Sequence, residues 1–416
     1  MRFEHTILWH VLPLSFSGAE RTAAEAQGVQ HRLGHLSAWL DHVVRLGANG
    51  LQLGPVFASE THGYDTTDHF RIDPRLGDDA DFDALVREAH EHGVQVVLDG
   101  VFNHVGRSFE RFRRAEQGDA ESARWFRREG DGWAVFEGHG QLVALNHEEP
   151  AVLDHVVAVL RHWLDRGVDG WRFDAAYAVP TAFWRRVAEQ VRASHPHAFL
   201  YGEVIHGDYP AFVAESGLDS VTQYELWKAV WSALNDRNLW ELSHALGRHA
   251  EMTDAFVPVT FVGNHDVTRI ASQLTDPRHL VHAVVLLATL PGHPVVYSGD
   301  ELGLEAVKEE RFGGDDAIRP VFPPQPREPE GRAAEVLAMH QRLIALRRRH
   351  PWLVAGVLEV PVTENERLVY RVARRDGGTE RIEVVLNLSD APVAAGAGEC
   401  IEGGTGPHHA GVFLAG

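Results

Sequence analysis

A chain of 416 residues, 44% of them apolar, is long enough for one large domain with its own core and a small second one. Its 59 acidic against 39 basic residues give a formal charge of −20, which repels phosphate backbones and argues against nucleic acid as a partner; the charge reads first as a source of solubility and is compatible with a neutral ligand such as a sugar. The one cysteine, Cys400, has no internal partner, no apolar stretch reaches membrane-spanning length and Met1–Pro13 lacks a full secretory apolar core, so the expected setting is cytoplasmic, with no membrane.

Strand and helix patterns alternate over the first 350 residues. Apolar strand candidates lie near Thr6–Val11, Gly50–Leu53, Val94–Asp99, Gly170–Asp174, Phe199–Glu203, Ser220–Tyr224, Val257–Val262 and Pro294–Tyr297. Apolar residues three and four apart predict helices between them. One runs through Leu36, Trp39, Leu40, Val43 and Val44 to Gly47, and another from Val152 through Val156, Val159, Leu160, Trp163 and Leu164 to Gly167. Glycine suits the left-handed end of a helix, and Pro180 suits the first turn of the helix after the fourth strand. The run Leu280–Leu290 reads as a buried helix.

About forty-five residues, Val105–Glu149, interrupt this rhythm after the third strand. Their aromatics, Trp125, Phe126, Trp133 and Phe136, read as core rather than as ligand platforms. The proline run Pro320–Pro329 reads as a loop before a helix over Ala333–Arg349, and Leu368–Val372 and Ile382–Leu388 then alternate as strands. Eight βα units predict an α/β fold of the TIM (β/α)8 type better than an open doubly wound sheet. Residues 1–104 and 150–350 form the barrel in this reading, 105–149 an insertion, and 351–416 a separate C-terminal domain.

Three carboxylates fall just past strand candidates: Asp174 in Gly170-Trp171-Arg172-Phe173-Asp174, Glu203 in Leu200-Tyr201-Gly202-Glu203, and Asp266 in Gly263-Asn264-His265-Asp266. The segment Asp99-Gly100-Val101-Phe102-Asn103-His104 closes the third strand in the same way. Ionised groups at buried strand ends are costly unless paired or working. Three acids, Arg172, His104 and His265 at equivalent ends therefore point to one pocket. Arg172 lies two residues before Asp174, on the same strand face, where it would keep Asp174 ionised; neighbouring carboxylates would raise the pKa of Glu203.

These four segments, in this order, resemble the signature regions of the alpha-amylase family, glycoside hydrolase family 13. His62-Gly63-Tyr64-Asp65 and Tyr297-Ser298-Gly299-Asp300-Glu301-Leu302-Gly303-Leu304 extend the resemblance over residues 6–320. It implies a retaining α-glycoside hydrolase acting on small α-linked glucosides or maltodextrins. Asp174 would be the nucleophile that forms a covalent glycosyl-enzyme, Glu203 the acid and base, and Asp266 the third acid gripping the sugar. Tyr64, Asp65, His104, Arg172, His265, Asp315 and Arg319 would contact the sugar, with Asp65 alternatively pairing Arg269. The resemblance also implies that the C-terminal domain is a small β-sandwich.

Starch-cleaving members carry Lys-His where this chain has Tyr177-Ala178, which argues against endo-cleavage of long glucans. Asn103 matches a calcium ligand of the family, but no aspartate-rich partner accompanies it. Leu145-Asn146-His147 is more like the neopullulanase and maltogenic branch. No cofactor is expected to be required, and bound calcium is not favoured. Transglycosylation or isomerisation of the trehalose synthase type would use the same acids. A non-catalytic relative such as an amino-acid transporter heavy chain would have a membrane span and would have lost catalytic acids. A metal-dependent barrel hydrolase would need His-x-His on the first strand, where only His10 is found.

Overall fold

The computed structural model describes residues 3–311 and 313–416. Its centre is a closed barrel of parallel strands: β1 (Leu8–Val11), β2 (Gly50–Leu53), β3 (Gln95–Gly100), β4 (Gly170–Phe173), β5 (Phe199–Gly202), β6 (Ser220–Val221), β7 (Val259–Phe261) and β8 (His293–Tyr297). Strands pair in the order β6-β5-β4-β3-β2-β1-β8-β7. A parallel bridge between Thr222 and Val259, with the Gln223 N–H donating to the Val259 carbonyl at 2.9 Å, joins β6 to β7 and closes the circle. All eight expected strands are present. Ser220–Tyr224 ends early, at Val221, because Tyr224 already begins a helix.

The period of two sets which residues line the barrel. Leu8, Val97, Phe199, Tyr201, Val259, Phe261 and Val295 point inward and form its floor with Phe3, which stacks on Phe199 at 3.8 Å. Gly170 is the β4 residue of this layer; a Cβ there would lie 2.6 Å from the Phe199 carbonyl oxygen, so only glycine lets β4 and β5 approach. The alternate residues Trp9, Val11, Leu51, Leu53, Val96, Leu98, Trp171, Phe173 and Leu200 face the helical layer outside. Each such side chain contributes about 1.5–3 kcal/mol on burial. The same parity carries Val97 to Asp99, Phe199 and Tyr201 to Glu203, and Arg172 to Asp174, all at the C-terminal mouth.

The helices that brace the barrel are α1 (Leu40–Leu46), α2 (Pro150–Asp165), α3 (Leu239–Ala255), α4 (Leu280–Thr289) and α5 (Arg332–Arg349). Gly47 takes φ 94° at the end of α1 and Gly167 φ 98° after α2, as their positions require. The stretch around Leu36 forms a separate short helix, Leu33–Ser37, and Pro180 caps the helix Thr181–Arg192 rather than entering it. In the insertion, His104–Gly106 pairs antiparallel with Leu142–Ala144. Trp125 and Phe126 are buried, and Trp133 packs edge-on against Phe126. Phe136 departs from the expected core role: its ring stacks on His104 at 4.8 Å.

The C-terminal residues form one antiparallel sheet of β9 (Val357–Thr363), β10 (Arg367–Ala373), β11 (Arg381–Asn387), β12 (Glu399–Gly403) and β13 (Ala410–Ala415), ordered β9-β10-β11-β13-β12. The expected sandwich is therefore corrected: no second sheet stacks on it among the described residues. Helices replace that layer. β9 lies against α3 and β13 against α4, and Leu368, Tyr370, Ile382, Val384 and Val412 join the barrel's outer core. The Tyr370 hydroxyl meets Thr289 Oγ1 of α4 at 2.6 Å. Val369, Val385 and Phe413 face the other way, under Val393 of the connecting loop. No helix among the described residues is long and apolar enough to cross a membrane.

Candidate active site

Strand parity brings Asp99, Arg172 and Glu203 to the barrel mouth, where they begin a circuit of hydrogen bonds. Arg172 Nη1 lies 2.7 and 2.6 Å from the two Asp99 oxygens, and its Nη2 lies 2.7 Å from Glu203 Oε1. The Tyr64 hydroxyl donates to Asp99 Oδ2 at 3.1 Å and sits 2.6 Å from His265 Nε2. That nitrogen is 2.9 Å from Asp266 Oδ2. The Asp266 N–H donates to Asn264 Oδ1, the Asn264 amide to the Tyr224 hydroxyl, and Tyr224 to Glu203 Oε1, at 2.8, 2.8 and 2.9 Å. The circuit thus returns to Glu203 and Arg172. Gly263, before Asn264, cannot carry a side chain: a Cβ would meet Asp300 Oδ2 at 2.3 Å.

Asp174 stands apart from this circuit. Among the described residues its carboxylate has one side-chain contact, a long 3.4 Å approach to Arg172 Nη1. The next residue, Ala175, takes φ 46°, a strained left-handed conformation for a residue with a Cβ. That turn aims the Ala175 N–H at Glu203 Oε2, 3.1 Å away. Glu203 is thus held at both oxygens, while Asp174 keeps an oxygen for another partner.

The electrostatics correct the sequence reading. Arg172 was expected to hold Asp174 ionised, but its guanidinium is spent on Asp99 and Glu203. Burial, reinforced by the Glu203 carboxylate, pushes Asp174 well above the usual carboxylate range. Burial also raises Asp99, against the pull of Arg172. Burial alone would lower Arg172, but Asp99 and Glu203 outweigh it and hold the guanidinium firmly charged. Asp266 goes the other way: burial opposes its ionisation, yet His265 and Arg319 hold it far below the ordinary range. One mouth thus contains a carboxyl poised to take a proton and another locked as an anion.

The remaining expected ligands divide. Tyr64 lies parallel to His265, interplanar angle 3°. Arg319 Nη2 binds Asp266 Oδ1 at 2.7 Å and Asp315 Oδ2 at 3.0 Å, so this pair first positions Asp266. His104 is buried, its Nε2 donating to the Tyr64 carbonyl at 3.1 Å; burial lowers its pKa to about 4. Asp65 turns back into its own loop, accepting from the Thr61 N–H and hydroxyl, and does not pair with Arg269. Arg269 instead binds Asp300 at 2.8 Å. Sequence reasoning missed four residues of the mouth. Asp99 was legible by strand parity. Tyr224, Asn264 and Lys308, whose ammonium reaches the Asp266 carbonyl at 2.9 Å, follow strands as loop or helix residues and gave no periodic signal.

Calcium takes about six to eight oxygens, and among the described residues neither of the gathered groups of three or more carboxylates and histidines lies at Asn103. The Asn103 side-chain Nδ2 lies 3.2 Å from His104 Nδ1, and the Asn103 backbone carbonyl accepts from the Leu145 N–H at 3.0 Å. Asn103 braces the start of the insertion.

Residues 10–335 match the alpha amylase catalytic domain family. The chain is 30% identical over 377 residues to a cyclomaltodextrinase of Geobacillus thermopakistaniensis (strain MAS1), covering 84% of this chain and 61% of that protein. It is equally 30% identical over 375 residues to neopullulanase 2 of Thermoactinomyces vulgaris, again covering 84% of this chain and 61% of the relative. The chain spans about three fifths of the length of these curated relatives. The solved structure of a cyclic alpha-maltosyl-(1→6)-maltose hydrolase from Arthrobacter globiformis shares the fold, with TM-score 0.84 over 99% of this chain and 98% of that one at 24% identity. A family match over most of the length, with its signature carboxylates gathered at one barrel mouth, establishes that the chain belongs to the alpha-amylase family, glycoside hydrolase family 13, on its neopullulanase and maltogenic side.

Proposed function

We propose that the chain is a retaining α-glucosidic hydrolase of short or cyclic maltodextrins, with Asp174 as nucleophile and Glu203 as proton donor. The observation that carries this reading is the division of the carboxylates: the circuit fixes Glu203 and Asp266 and leaves Asp174 with a free oxygen. An oxocarbenium-like centre at the anomeric carbon needs such an oxygen on one face and a proton at the departing oxygen. The step uses Asp174 ionised and Glu203 carrying a proton, and positive charge developing at the anomeric carbon favours the ionised form of Asp174. Asp174 then bonds to the anomeric carbon as the glycosidic bond breaks, and the Glu203 proton leaves with the departing oxygen. In the second half an incoming water gives its proton back to Glu203 and displaces Asp174. Asp266, kept anionic by His265 and Arg319, is suited to accept from sugar hydroxyls.

A tie between the insertion and the loop after β4 supports the preference for short substrates. The Tyr177 hydroxyl donates to Glu137 Oε1 at 2.7 Å, tying the insertion to the loop after β4 where longer-acting relatives carry lysine and histidine. The relatives named cyclomaltodextrinase and neopullulanase support the same substrate class. A cytoplasmic setting fits the exposed, unpaired Cys400.

The test is turnover against maltose, trehalose, maltotriose, longer maltodextrins and cyclodextrins, with products identified and their first-formed anomer followed by NMR. The expected result is hydrolysis of short and cyclic α-linked glucans with α-anomers released first. β-Anomers, or new linkages as the main product, would replace hydrolytic retention with inversion or transfer. We further expect EDTA to leave kcat at 25 °C within about twofold. Rapid loss restored by calcium alone would show that Asn103 does anchor an ion needed for turnover.

A further inference from the structure

Away from the barrel mouth, the C-terminal sheet meets the barrel through a group of imidazoles and carboxylates that the reaction does not use. His279, at the start of α4, and His408, in the turn before β13, are both buried, with side chains 2% and 4% exposed. His279 Nε2 faces His408 Nδ1 at 3.1 Å. Asp276 Oδ2 lies 3.9 Å from that same His279 nitrogen. The facing atoms of Asp276, His279 and His408 all lie within 4.8 Å of one another. Zinc–ligand bonds of about 2.0–2.1 Å at tetrahedral angles place neighbouring ligand atoms about 3.3 Å apart, so these spacings fall near those of a tetrahedral site.

We propose that Asp276, His279 and His408 form a binding site for a divalent transition metal of the zinc type, which fastens the C-terminal sheet to the barrel. Two further observations support it. His408 Nε2 lies 2.8 Å from Asp390 Oδ1, an arrangement that puts the proton on Nε2 and leaves the Nδ1 lone pair facing His279 and Asp276. A carboxylate behind a ligating histidine is the usual outer partner of such a metal. His408 also takes φ 56°, a strained backbone that a residue with a Cβ adopts where its side chain must be aimed. Solvent reaches the site past Asp276, 24% exposed, and Asp390, 77% exposed, which leaves a path for the ion and room for a water as fourth ligand. Arg278 holds both Asp276 oxygens from the outside, its N–H and Nε donating to Oδ1 at 3.0 Å each and its Nη2 to Oδ2 at 2.6 Å, so Oδ2 would be shared between Arg278 and the metal. The competing arrangement is a plain imidazole–imidazole hydrogen bond with no ion.

The experiment is titration of the EDTA-stripped, dialysed full-length protein with Zn2+ and, separately, Co2+, followed by calorimetry, visible absorption and thermal melting. Expected are one equivalent of Zn2+ bound with Kd below about 1 μM, the ligand-field bands of four-coordinate cobalt, and a melting temperature that rises with free Zn2+. The variant His408→Asn, whose residue tolerates positive φ, loses the bands and the thermal shift while keeping wild-type turnover at 25 °C. Asp390→Ala weakens Zn2+ affinity by about 10–100-fold. His31→Ala, which alters the exposed group of His31, Asp78 and Asp81, leaves the binding unchanged. Zn2+ affinity no better than millimolar in the wild type, or binding that survives His408→Asn and disappears with His31→Ala, would overturn the proposal. If His408→Asn does not fold, Asp390→Ala and His31→Ala locate the ion: weakened affinity in the first with unchanged affinity in the second supports this site, and the reverse overturns it.

Discussion

Asp174→Ala and Glu203→Gln each lower kcat by about three decades or more, equivalent to about 4 kcal/mol or more of barrier. The two losses have different origins. Removing Asp174 deletes the one carboxylate oxygen at the mouth that the surrounding circuit leaves free. Replacing Glu203 with glutamine keeps the shape and one acceptor oxygen, enough for either the Tyr224 hydroxyl or the Ala175 N–H, but removes the proton. A small nucleophile such as azide therefore restores some turnover to Asp174→Ala, and substrates with good leaving groups restore it to Glu203→Gln, because protonation is then dispensable. Near-wild-type turnover by either variant would falsify the assignment. Stability moves in the opposite direction. The folded-state pKa of Asp174 is raised above its unfolded value, so the folded protein binds more protons in that window and the group costs stability as pH rises through it. Asp174→Asn removes that cost, and it is expected to melt above the wild type at pH 7 and to lose the advantage at low pH. A lower melting temperature at every pH would show that Asp174 is held by attractions stronger than its 3.4 Å contact with Arg172.

What could be read from the residues, and what could not, follows the range of each signal. Strand parity is local: Phe199, Tyr201 and Glu203 share a face whatever the rest of the chain does, so the acids were legible as one inward set. The same parity marks Asp99, and the register opposite Arg172 in β4 makes it the natural partner of that guanidinium. The two-residue spacing of Arg172 and Asp174 was informative about proximity but silent about direction. Arg172 turns toward the neighbouring strands, so the upward pKa shift falls on Asp174. Tyr224, Asn264 and Arg319 come to the site through loop geometry, and no period in the sequence reports where a loop ends. Alternation in Leu368–Val372 and Ile382–Leu388 predicted two-faced strands correctly, yet alternation says only that both faces need cover. Helices α3 and α4 supply that cover on one face, where a second sheet was expected.

The strongest stability effect is expected at Arg172, whose guanidinium is buried against Asp99 and Glu203. Arg172→Met fills the volume but strands two carboxylates in a site with little water. Breaking one side of a buried ion pair costs about 3–5 kcal/mol, more than typical surface pairs by severalfold. Burial already raises Asp99, with Arg172 the main force opposing it. Without that opposition the Asp99 pKa climbs further, so the loss is largest at pH 7 and shrinks as pH falls and the carboxyl takes its proton. The double variant Arg172→Met/Asp99→Asn tests this cause directly. It keeps the amide able to accept from the Tyr64 hydroxyl and removes the stranded charge, so it recovers most of the lost melting temperature at pH 7. It recovers little activity, because Glu203 still lacks the guanidinium that holds its Oε1. Equal melting temperatures for Arg172→Met and the double variant at pH 7 would mean that the cost is packing rather than charge. The circuit would then be a consequence of the barrel's shape and not a force that holds its mouth together.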